Sequence, residues 1–132
     1  MLVLVMSLLV QGDIPQIGAP NPRPAFECAE HVTDARARRS CLNTLLAEAE
    51  TQLQAAHEQA REEARDSDLD SGGLFQAEAS LDSAQAVWMQ YRDAECARRG
   101  SLMFVSESSR EEIVLDCRIA LDRARAAELL EH

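Results

Sequence analysis

The sequence predicts an all-α protein: a small three-helix antiparallel bundle or hairpin stapled by two disulfides. Three observations carry this reading. From Thr33 to Asp68 the chain has no Gly or Pro and is rich in Ala, Leu, Glu, Gln and Arg, residues that lose little side-chain freedom in a helix. The later breaks are few, a double glycine at Gly72-Gly73 and Gly100 with the segment after it. Four cysteines, Cys28, Cys41, Cys96 and Cys117, then suit a core that aromatic residues, at 4% of 132, leave thin. In a small chain each disulfide adds roughly 2 to 4 kcal/mol by restricting the unfolded state.

The first helix is expected from an N-cap at Thr33 to about Arg65, with Leu42, Leu45, Leu46 and Leu53 making a narrow apolar stripe that needs covering neighbours. Asp66 to Gly73 reads as an acidic loop. Its alternate acids Asp66, Asp68 and Asp70 suggest a calcium loop, but Ser71 and Ala77 stand where an EF-hand needs its glycine and bidentate glutamate. A second helix is expected from about Leu74 to Arg99, with Leu81, Gln85, Trp88, Arg92 and Cys96 on one side. Gly100 should end it, and the apolar connection SLMFVSE should tuck against the core. Ser109 and Glu112 form a capping box for a third helix to about Leu130.

Ahead of these helices, MLVLVMSLLV is the length of a leader's apolar stretch and too short for the roughly 20 residues a membrane span needs. No Lys or Arg precedes it, so the charged start of such a leader would lie upstream of Met1. Residues 1–19 therefore read as a signal peptide, with Val10 and Gly12 at cleavage-site spacing; Pro20 disfavours a cut directly after Ala19. The competing reading is a buried N-terminal element, which the proline-rich stretch that follows argues against. Residues 20–25 read as a linker and 26–132 as the folded domain. The context of Cys28 is not that of a lipid-modified cysteine. The product is expected to be extracytoplasmic, periplasmic or secreted, with no stable membrane span. Its net charge of −10, less negative by one without Asp13, includes no lysine at all. That balance excludes a nucleic-acid partner, whose phosphates demand a basic patch, and favours a basic protein.

Outside the cytosol the thiols should pair. An antiparallel hairpin brings Cys96, near the end of the second helix, to Cys117, early in the third. A chain reversal near His31 and Val32 could lay Cys28 against Cys41. A zinc site is the competing reading, and no tight C-x2-C knuckle supports it.

The segment AQAVWMQYRDAEC, Ala84 to Cys96, resembles the hallmark of the bacterial LprI N-terminal-type family, named for a lysozyme inhibitor. That pattern has Gln, Trp three on, then Arg-Asp and Cys, here Gln85, Trp88, Arg92, Asp93 and Cys96, with Tyr91 before the arginine. The family's opening cysteine pair is matched by Cys28 and Cys41, and its closing Cys, Arg and Leu by Cys117, Arg125 and Leu129. The resemblance spans residues 26–130. Three positions depart from it: Leu-Asn-x-x-Tyr appears as Leu53-Gln54-Ala55-Ala56-His57, and a common Thr is Asp122.

Trp88 and Arg92, one turn apart, can stack, with Gln85 bonding nearby backbone, a structural polar cluster in which a buried arginine would need a carboxylate or several carbonyls. A recognition patch on the same face is the alternative. His31 and His57 read as surface residues. No catalytic motif, metal set or cofactor site is present, and an enzyme is not expected. Residues 48–82 carry ten acids against Arg61 and Arg65, ordinarily a solvated surface. The resemblance implies a sharper use, in which Asp66, Asp68 and Asp70 with Glu62 and Glu63 steer and block a basic lysozyme. The alternative is an envelope or secreted interaction domain without lysozyme activity. The sequence is silent on oligomeric state.

Overall fold

A computed structural model describes residues 23–131; the expected signal peptide and the first half of the expected linker, residues 20–22, lie outside the described residues. The chain is all α-helical, with a short α1 (Pro24–Glu27), a 3-10 turn (Ala29–His31), and three long helices, α2 (Ala35–Ser71), α3 (Ala77–Ser101) and α4 (Glu107–Leu129). The three long helices run up, down and up. Pairs between Gln85 and Arg125 and between Cys96 and Cys117 make α3 antiparallel to α4. Arg38 with Glu112 and Glu50 with Arg118 make α2 parallel to α4.

Apolar residues spaced around one side of α2 and α4 build two linked clusters. Leu42, Ala49 and Ile119 surround Cys28, with Leu45, Leu46 and Leu115 packed on them. Leu53, Ala56 and Ala126 form the second, with Trp88 and Leu129. Fully burying a Leu or Ile contributes about 1.5 to 3 kcal/mol, and only Leu42 and Ile119 are large apolar side chains without exposure. Such a core leaves much to the cross-links. Both expected disulfides are present, Cys28 to Cys41 with α-carbons 5.9 Å apart and Cys96 to Cys117 at 5.5 Å. The 3-10 turn makes the reversal that folds Cys28 back onto α2. Arg23, Pro24 and Ala25, at the end of the segment expected to be a linker, pack on α4: Pro24 is buried, and Asp116 accepts hydrogen bonds from the Arg23 guanidinium and the Ala25 N–H.

Several boundaries differ from expectation, each for a local reason. Asp34 rather than Thr33 caps α2, its carboxylate accepting from the N–H groups of Arg36 and Ala37. Ser106 rather than Ser109 caps α4, accepting from Ser109 N–H, which frees Glu112 to grip Arg38 at 2.8 Å. Helix α2 continues through Asp66 to Ser71 instead of stopping at Arg65, closed by Gly72 with φ of 65°. Its C-terminal acids oppose the helix dipole, and the neighbouring start of α3 offsets this, because Asp68 turns across and caps it. The residues between Gly73 and Gln76 are turn, so α3 begins at Ala77 and not at Leu74.

Gly100 lies inside α3, not after it, and is buried there. A Cβ on it would stand 2.8 Å from Val114 Cγ2, so glycine permits the close approach of α3 to α4. That contact seals the end of the bundle, and the connection expected to tuck inward faces solvent instead, with Phe104 94% exposed beside exposed Leu102 and Val105.

Replacing Ile119 with Ala should cost about 2 to 5 kcal/mol, while Phe104→Ala should stay within about 0.5 kcal/mol; urea unfolding followed at 222 nm measures both. At the end of α3, hydrogen bonds from Arg98 and Arg99 hold the Glu95 carboxyl down from the ordinary 4.5 to about 2. Because the folded value is the lower one, this stabilisation is complete above about pH 4.5 and fades as the pH falls toward 2. A carboxyl NMR titration of Glu95 should show that low midpoint.

Candidate functional site

The hallmark residues of α3 meet α4 in a polar layer. Arg92, 6% exposed, lies against Asp122, which has no exposure. Its guanidinium donates to Asp122 Oδ1 at 2.9 Å and also to Asp93. Burial works against the Arg92 charge, but hydrogen bonds to Asp122 and Asp93 outweigh it and raise its pKa. The guanidinium also sits 5.6 Å from the Trp88 ring centre, and Arg125 approaches the same ring at 5.8 Å. Gln85, expected to bond backbone, instead accepts from Arg125 Nε at 3.0 Å. Leu129 packs on the second apolar cluster. Tyr91 points to solvent, and Asp93 is largely exposed beyond its arginine. These contacts join α3 to α4 around a half-buried Trp88 ring.

A different part of the molecule reaches outward. Helix α4 ends beside Gln59, where Leu130 lines the same shallow hollow. From there α2 runs on to Ser71 and α3 returns from Ala77, so these stretches form a two-helix arm about 18 Å long at 1.5 Å per residue. Half-buried Ala60, Ala64 and Leu81 are too small a set for a core. Ion pairs hold the arm instead: Arg61 reaches Glu78 and Asp82 at 3.1 and 3.3 Å, and Arg65 reaches Glu78 at 3.0 Å. His57, expected at the surface, is half-buried at the base of the arm with Nε2 3.6 Å from Asp82; a carboxylate supplied by α3 was not visible from α2 alone.

The five acids singled out by the sequence all fall on this arm, though not in a loop. Glu62, Glu63, Asp66 and Asp70 are exposed on helix α2. Asp68 is half-buried, and its two oxygens accept from the N–H groups of Ala77 and Glu78 at 2.7 and 3.1 Å. Sequence reasoning missed Glu58, which with Glu62, Asp66 and Asp70 repeats every fourth residue and makes one stripe along the arm. Among the described residues no group of three His, Cys, Asp or Glu could hold a metal, and no helix is long and apolar enough to cross a membrane.

Disulfide-stapled helices with an acidic arm define a small cross-linked helical bundle. The family model of the lysozyme inhibitor LprI matches residues 28–129, and the chain belongs to that family. No curated protein and no solved structure matches it.

Asp122→Asn should leave buried Arg92 with only the largely exposed Asp93 as counter-charge and cost about 3 to 5 kcal/mol. A double change of Arg92 to Met with Asp122 to Leu should recover most of that loss. Thermal melts of the two variants make the comparison.

Proposed function

We propose that the protein is an exported inhibitor that occludes a basic lysozyme and performs no chemistry of its own. The observation that carries the reading is the acidic stripe of Glu58, Glu62, Asp66 and Asp70 on an arm that stands clear of the bundle. Like charges four residues apart on a helix cost about 0.2 to 0.5 kcal/mol per pair, and Arg61 and Arg65 turn across to α3 rather than along the stripe. An arrangement that works against its own helix is useful where a cationic surface is to be met. Lysozymes are basic, so the stripe would speed their encounter and then lie on the rim of the cleft. The match to the lysozyme inhibitor family supports this choice of partner. Two disulfides and no free cysteine among the described residues support an extracytoplasmic location, since such bonds persist outside the reducing cytosol.

The domain without its leader should inhibit c-type lysozyme at micromolar excess and low salt. Neutralising Glu62, Asp66 and Asp70 as Gln, Asn and Asn should slow association about tenfold near 20 mM salt, a difference that shrinks near 0.5 M. Stopped-flow binding measures this. Activity untouched in c-type and other lysozyme classes alike would mark a domain for a different secreted partner.

A further inference from the structure

The end of the arm differs from its sides. Leu69, Leu74 and Phe75 are 79%, 73% and 74% exposed, three large apolar side chains at one hairpin turn. Clustered exposure of this kind marks a contact surface more often than an accident of folding. These side chains do not fold inward because the arm has no core to receive them. The turn itself, Ser71 to Gln76 with sequence SGGLFQ, carries no charge, although Asp66, Asp68 and Asp70 immediately precede it. The arm thus has acidic sides and a neutral, apolar leading edge.

We propose that this edge is a wedge that enters the substrate cleft of a lysozyme, with Leu74 and Phe75 as its anchors and Leu69 behind them. The inference rests on the inhibitor reading above and adds the contact residues to it. A glycan-cleaving cleft holds a pair of carboxylates flanking the bond to be broken. An acidic tip would be repelled there, whereas the uncharged turn of residues 71–76 is not, and Glu62 and Asp66, set back along α2, fall where the basic outer surface begins, with Asp70 at the edge of the tip. Binding clefts are mostly apolar and aromatic, with a few polar groups, so Leu and Phe side chains can occupy the space of sugar faces. The turn is also held in shape. Gly72 and Gly73 take φ of 65° and 74°, Gly73 N–H donates to the Asp68 carbonyl at 2.7 Å, and the Asp68 side chain clasps the first N–H groups of α3.

The test compares the unaltered protein with Leu74→Ser/Phe75→Ser against c-type lysozyme, reading both binding and cell-wall lysis, with chitotriose as a competitor for the cleft. The changed side chains are exposed, so the melting temperature should not move. Expected are a loss of inhibition of about 30-fold or more in the variant and displacement of the unaltered protein by chitotriose. Full inhibition by the variant, or binding indifferent to saturating chitotriose, would overturn the wedge and leave the inhibitor reading standing. Failure of the unaltered protein to bind lysozymes of any class overturns both.

Discussion

The ion pair between Arg92 and Asp122 is the constraint around which the bundle is arranged. Two opposite charges taken out of water stabilise little by themselves, because desolvation cancels most of their attraction. Their effect is to forbid alternatives. Any sliding of α3 along α4 that parted Arg92 from Asp122 would strand a buried charge, so the register of the helices is fixed at that point. The guanidiniums of Arg92 and Arg125 both approach the indole of Trp88, and Gln85 ties the second of these to α3. With α3 in register on α4, Cys96 meets Cys117 and Gly100 meets Val114.

The apolar core then supplies adhesion rather than specificity. Its members are mainly Leu and Ala, side chains that pack in many ways, and few of them are large. Two disulfides compensate for this. Cys28 to Cys41 ties down the segment ahead of α2, assisted by Arg123 with Glu27 and by Asp116 with Arg23 and Ala25. Cys96 to Cys117 closes the α3–α4 junction at the same end of the bundle.

Much of this could be read in the residues. Helix-forming composition located α2, α3 and α4, and an antiparallel hairpin implied the pairing of the cysteines. The hallmark around Trp88 identified the family. What could not be read has a common origin in contacts between distant parts of the chain. That a buried Arg92 needs a carboxylate or several carbonyls was evident, but the carboxylate is 30 residues away, at a position where the family resemblance implies Thr. Asp68 looked like part of a solvated loop because its acceptors' donors, at Ala77 and Glu78, lie across the turn. The apolar connection around Phe104 looked like core because hydrophobicity alone does not reveal that Gly100 and Val114 have already closed the space beneath it.

The clasp made by Asp68 has a further consequence. A binding loop that must settle into shape as it meets its partner loses conformational freedom at that moment, and affinity falls by the corresponding amount. Here the turn is ordered by bonds internal to the arm, so that entropy is lost during folding and not at the encounter. The complex would then form by collision and docking alone, without a slow search among loop conformers, and its lifetime would be set by how readily the tip side chains leave their seat.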